Sequence, residues 1–192
     1  MPKDGLVAKR GTAGLASFLC SFLFLGFSSA GQAPEDILKA EIFLSRSKVL
    51  PGQILKIAVL AKIKRKWHIH ANKVADEFLV PTSLTVEPGE GLEVEEIVFP
   101  KAKLGRYEYA ETPLEVFDGE ILIGAQLRAA PDLSPGPRRL KVKLRFQGCD
   151  DRGCLPPATI ELPADVEAVS SGSPAAEDHP DIFKKIAFAK SK

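Results

Sequence analysis

Neither sign of charge is in excess. The 192 residues hold 26 Lys and Arg against 25 Asp and Glu, so no basic field points to nucleic acid. No long helical period is present and no segment repeats. No Gly-x-Ser-x-Gly turn occurs, and the acids lie scattered with no partner histidine in view, which leaves no hydrolase pattern. Long apolar runs are lacking: the longest, Leu15 to Phe27, is short for a permanent membrane anchor, since a spanning helix needs roughly 20 residues. Cysteine is scarce, with three residues at positions 20, 149 and 154.

What is present begins with an export signal over residues 1–30. Lys3, Lys9 and Arg10 form a positive start, Leu15 to Phe27 an apolar middle, and Ser28-Ser29-Ala30 a small-residue cleavage site. A cut after Ala33 is disfavoured by Pro34, and Ser17-Phe18-Leu19 before Cys20 fit a lipoprotein badly. An uncleaved anchor is the plainer alternative. Cleavage removes Lys3, Lys9, Arg10 and Asp4, a net +2, so the charge moves from +1 to about −1. The exported chain keeps Cys149 and Cys154, in an oxidising compartment where a disulfide persists.

The length suits one domain, placed at 35–168, plus a tail. Fifteen Pro and fifteen Gly suit a turn-rich all-β chain. Runs rich in β-formers recur at 41–45, 54–61, 67–71, 83–86, 93–99, 115–117, 120–127, 138–146 and 159–162, with turn residues between them. Within 67–71, Trp67, Ile69 and Ala71 share one face and His68 and His70 the other. Asp118-Gly119 is a two-residue hairpin signal. In 138–146, Leu140, Val142, Leu144 and Phe146 alternate with Arg139, Lys141, Lys143 and Arg145. About eight short strands with no long helical period predict an immunoglobulin-like β-sandwich. Residues 169–192 read as a flexible linker, Ser170 to Ala176, and a segment over 181–190 that could form a short amphipathic helix with Ile182, Phe183 and Ile186 on one side. A helix this short is marginal alone, so a frayed tail is the plainer expectation.

The chemistry lies in Phe146-Gln147-Gly148-Cys149-Asp150-Asp151-Arg152-Gly153-Cys154-Leu155-Pro156-Pro157. A strand-end turn can bring the two sulfurs together, with Gly148 and Gly153 easing the bend. A ring this small adds only about 2 kcal/mol in the loop-entropy model, and short bridges are easily reduced. Structural staple and working redox pair both remain open on these grounds. The pair differs from a thioredoxin-type site, which places a helix start at its first cysteine.

The Phe146–Cys149 and Cys154–Thr159 segments resemble the N-terminal periplasmic domain of the bacterial thiol:disulfide interchange protein DsbD. Trp67 to Asn72, Phe78 to Leu84 and Tyr107 to Gly119 resemble further stretches of that family, in matching order from about Ile37 to Val166. The resemblance implies an immunoglobulin-like domain that cycles Cys149 and Cys154 between disulfide and dithiol, as a protein-disulfide reductase does, in roles such as cytochrome c biogenesis. It implies periplasmic partners of thioredoxin-like fold and no cofactor. It makes Cys154 the residue that joins partners in a mixed disulfide and Cys149 the one that resolves it. In the cap loop Tyr109, then Tyr107, would shield the pair, and Glu108 and Glu111 could tune it. The resembled reductase continues into a membrane domain and a thioredoxin-like domain, so a separate membrane-embedded reductase is expected. Contact of the tail with the membrane is an open possibility.

Two rival readings stand beside this one. His68 and His70 with the cysteines could hold copper or zinc. The plainer view makes them solvent-facing neighbours of a buried Trp67 without a third ligand, and no metal is expected. Otherwise the chain is a binding sandwich with a structural disulfide.

Overall fold

Strand residues 136–146 are two-faced, as their sequence demands. Leu140, Val142, Leu144 and Phe146 are fully buried, while Arg139, Lys141 and Arg145 are exposed. Each such side chain moved out of water contributes about 1.5–3 kcal/mol. The computed structural model describes residues 34–170, 172 and 177–189. The expected signal peptide and most of the Ser170–Ala176 linker lie outside the described residues.

A helical turn, α1 (Pro34–Ile37), leads into β1 (Leu38–Leu44), β2 (Lys48–Val49), β3 (Ile54–Ile63), β4 (His68–His70), β5 (Ser83–Glu87) and β6 (Leu92–Val98). β7 (Lys103–Gly105), β8 (Leu114–Phe117), β9 (Glu120–Ala129), β10 (Gly136–Phe146), β11 (Gly148–Cys149) and β12 (Ala158–Ala168) follow, and then α2 (Pro180–Phe183). The sheets β1-β3-β9-β6 and β2-β12-β10-β5 close over one core. Leu55, Ile57, Val59, Ile123 and Leu127 come from the first, and Leu84, Leu140, Leu144 and Phe146 from the second. This is an all-β, immunoglobulin-like sandwich. A third small sheet, β11-β4-β8-β7, takes up the chain where β10 ends and carries the cysteine segment.

The run Ile54–Ala61, apolar but for Lys56, is explained by its two covered faces. Odd-numbered residues of β3 enter the main core, whereas Ala58 packs against Phe183 and Ile186 of the tail, flanked by Phe43, Leu122 and Phe188. The tail helix is a single turn, shorter than the sequence pattern suggests, and packing rather than helix propensity holds it. Gly124 of β9 leaves room for this docking: a Cβ there would lie 2.6 Å from Phe188 and 2.7 Å from Ile186.

Two sequence expectations change. Asp118-Gly119 does not close a hairpin, because β8 pairs with β4 and β7 while β9 pairs with β3 and β6. The turn, with Gly119 at φ 66°, is a corner between two sheets, and its carbonyl accepts from Ile63 N at 2.8 Å. The last strand runs on past Leu162 to Ala168, through Pro163 opposite Lys141. β2 covers its outer side only at Glu167 and Ala168, and an open edge tolerates proline.

Candidate functional site

The site is built where three strands of the small sheet meet. In the antiparallel pair β4–β11, Cys149 lies opposite His68 and Gly148 opposite Ile69. Directly opposed residues share a face with their diagonal neighbours, so His68, His70 and Cys149 belong to one surface. Cys149 and Cys154 are disulfide-bonded, with Cα atoms 4.0 Å apart. The loop between them is folded by its own polar groups. Asp150 N donates to Gly153 O at 3.0 Å, and Asp150 Oδ1 accepts from Arg152 N and Gly153 N at 2.9 and 3.1 Å. The Arg152 N–H, helped by that of Gly153, holds the Asp150 carboxyl below its usual range. Gln147 then ties the loop down, donating to Leu155 O and accepting from Val80 N.

The glycines serve a different end from the one the sequence suggests. Neither Gly148 nor Gly153 has a positive φ, so the bend does not use glycine's backbone freedom. Gly148 is needed for space: a Cβ there would meet Ile37 Cγ2 at 2.9 Å.

The two sulfurs are unequal. Cys149 is fully buried, while Cys154 is exposed beside a groove of about 600 Å³ whose lining includes Lys64, Arg65, Lys66, Trp67 and Arg152.

The histidines are not solvent-facing. His68 is 3% exposed and His70 0%, because the cysteine segment and the cap loop cover the face that the alternation leaves open. Tyr107 stacks on His68 with ring centres 3.8 Å apart, and the Tyr109 hydroxyl is hydrogen-bonded to His68 Nε2 at 2.7 Å. Burial pushes the His68 imidazole down to about 4, with His70 adding to the effect and Asp151, Asp118 and Asp150 opposing it. Burial likewise lowers His70, against a hydrogen bond to Val80. Tyr109 is pushed up to about 12 by burial, then by Tyr107 and the charges of Asp150 and Asp151. His70 Nε2 lies 3.6 Å from Cys149 Sγ and 4.0 Å from Cys154 Sγ, and its Nδ1 is 3.3 Å from Val80 O.

Of the residues singled out in sequence, Cys149, Cys154, Tyr107 and Tyr109 come together around His68 and His70. Glu108 and Glu111 are exposed on the cap, and the acids whose charge reaches the site are Asp118, Asp150 and Asp151. The contact of His70 with the sulfurs is the feature that sequence reasoning held only as a rival idea. Its sole sequence signal is the alternation that puts His68 and His70 on one face.

A shallow groove of about 830 Å³ runs along the cap, lined in part by Phe78, Tyr109 and Pro113. Phe78 is 85% exposed. Among the described residues no helix is long and apolar enough to cross a membrane.

Solved structures similar to the chain include the DsbD N-terminal domain of Neisseria meningitidis in its reduced form. It is 16% identical with a TM-score of 0.44, over 71% of this chain and 94% of that one. A second is the complex of the DsbD N-terminal and PilB N-terminal domains from the same organism, at 17% and 0.46 over 78% and 92%. A third is the N-terminal periplasmic domain of ScsB from Proteus mirabilis, at 12% and 0.46 over 71% and 49%. Among curated proteins none matches. The family model described as "Thiol:disulfide interchange protein DsbD, N-terminal" matches residues 35–165, spanning both large sheets, the cap and the cysteine loop, and the chain belongs to that family.

Proposed function

We propose that this domain works in the periplasm, as an exported protein, and passes electrons from a membrane-embedded reductase to thioredoxin-like partner proteins through Cys149 and Cys154. The observation that carries the reading is the inequality of the two sulfurs, one exposed at a groove and one buried behind it.

In the dithiol state the Cys154 thiolate attacks a sulfur of the partner's disulfide. The partner's S–S bond breaks, a mixed disulfide forms, and the departing thiolate takes a proton. The Cys149 thiolate then attacks Cys154 Sγ and releases the partner's second thiol. The partner gains two electrons and two protons, and the Cys149–Cys154 disulfide is restored. The reductase regenerates the dithiol by the reverse route. Tyr109 and Tyr107 cover the histidine side of the pair between encounters, and the exposed ring of Phe78 in the groove beside Tyr109 offers a partner an apolar contact.

The test is the reduction potential of the pair, read by mass-resolved alkylation in glutathione and dithiothreitol buffers. A value well above about −300 mV is expected, with Cys154→Ala abolishing exchange and Cys149→Ala trapping a mixed disulfide. A bridge that stays closed far below that potential overturns the reading and leaves a stapled binding domain.

A further inference from the structure

Among the described residues one cluster has metal-ligand chemistry: His70, Cys149 and Cys154, whose donor atoms all lie within 4.8 Å of one another. We propose that, once reduced, these three side chains form a binding site for a soft monovalent cation, Cu(I), so that the dithiol has two competing occupants, a partner's disulfide and copper. This rests on the proposed redox role, because the sulfurs are ligands only when the bridge is open.

The spacing is already that of a coordination shell. A three-coordinate metal bound at about 2.3 Å to sulfur and about 2.05 Å to nitrogen, with angles of about 120°, holds nitrogen and sulfur about 3.8 Å apart. His70 Nε2 lies 3.6 Å from Cys149 Sγ and 4.0 Å from Cys154 Sγ. Opening the disulfide and parting the sulfurs to about 4.0 Å completes the triangle. Cys149 and His70 sit on paired strands of one sheet, which fixes two of the donors. Cys154, in the exposed loop, is the one able to move.

The histidine is also set in the form a metal needs. A backbone carbonyl can only accept, so the 3.3 Å contact with Val80 O puts the proton on Nδ1 and leaves the Nε2 lone pair toward the sulfurs. A ligating imidazole orients itself through such a second contact. His68 cannot take this part, since its Nε2 is engaged by the Tyr109 hydroxyl.

The choice of ion follows from donor type and number. Two thiolates and an imidazole are soft donors that suit Cu(I) or Zn(II). Structural zinc closes its shell with four ligands. Among the described residues no carboxylate joins the His70, Cys149 and Cys154 cluster, and in the loop Asp150 is spent on Arg152 and Gly153. Three soft donors satisfy Cu(I). Binding replaces the two thiol protons, which leave to solvent, and gives a site of net charge −1. Lys64, Arg65, Lys66 and Arg152 line the groove at Cys154 beside one acid, Asp150, and their excess of positive charge favours the site.

The experiment titrates the full reduced chain, without oxygen, against Cu(I) held by bathocuproine disulfonate. The same samples are assayed for reduction of a thioredoxin-like protein's disulfide. One Cu(I) per reduced chain is expected, none on the oxidised chain, with both sulfurs protected from alkylation. His70→Gln should weaken binding at least about tenfold, and Cys154→Ser, at an exposed position, should abolish it without disturbing the fold. Equal affinity in a folded His70→Gln variant overturns the site, as does preference for Zn(II) over Cu(I). A dithiol that exchanges disulfides yet takes no copper sinks the metal site alone. A pair that cannot be reduced sinks both.

Discussion

Gly148→Ala tests whether the cysteine segment is seated by close packing. The added Cβ would lie 2.9 Å from Ile37 Cγ2, 3.1 Å from Ile37 Cδ1 and 3.7 Å from Trp67 Cε3. Ile37 is 4% exposed and belongs to the main core, so it has little room to yield. Gly148 has no positive φ, and backbone strain therefore adds nothing to the effect. Overpacking of this kind costs about 1–3 kcal/mol, or a fall in Tm of roughly 2–12 °C for a domain of this length. Ile37→Ala alone should cost about 2–5 kcal/mol through the cavity it leaves. In the double variant the new methyl enters that cavity, so the two effects should fall short of their sum by about 1–3 kcal/mol. Urea unfolding of the four oxidised proteins reads the cycle. Gly153→Ala serves as the control, because nothing lies within 4 Å of its Cβ, and it should be neutral or slightly stabilising. A Gly148→Ala variant as stable as the parent, or a strictly additive double, would refute the packing account.

Further outcomes are expected at the site and at the tail. In the reduced protein iodoacetamide should label Cys154 well before Cys149, and equal labelling seen by peptide mass would remove the asymmetry on which the exchange mechanism rests. Tyr109→Phe removes the hydroxyl from His68 Nε2 and should cost about 1–3 kcal/mol, measured as a lower urea midpoint. His68 is held neutral at about 4 when folded, against 6.5 when free, so between those values the unfolded chain binds the extra proton. Its contribution is therefore complete above pH 6.5 and is lost as the pH falls toward 4. The size is about 3 kcal/mol, and a His68→Gln variant should flatten that slope in metal-free, oxidised protein. Phe183→Ala should destabilise by about 3–5 kcal/mol, because its ring is buried against Ala58; an unchanged Tm would mean that the tail does not dock.

How much was legible depended on whether the signal was local. β10 could be read outright, since a period of two over Leu140 to Phe146 needs no knowledge of partners. The cysteine pair was equally plain, being closed by its own short loop. The Asp118-Gly119 turn was misjudged because a turn signal fixes a change of direction and not the strand that is met afterwards; β9 had a longer partner in β3. The histidines were misjudged for a related reason. Alternation states that His68 and His70 share a face, but whether that face is wet depends on Tyr107 and Tyr109, some forty residues on. The approach of His70 to Cys149, across 79 residues, follows from the β4–β11 register, which no local pattern specifies.

The small sheet has a mechanical consequence. β8 follows directly on the cap and pairs with β4, the strand that presents both histidines, while β4 pairs in turn with the cysteine strand. The loop that carries Tyr107 and Tyr109 is thus joined to the same short ladder that holds the sulfurs. Lifting it strips His68 of its stacked ring and its hydroxyl partner in one movement, and wets an imidazole directly opposite Cys149. In the proposed exchange, a partner that displaced this loop would change the polarity around the thiols in the same event, with no movement required of the large sheets behind.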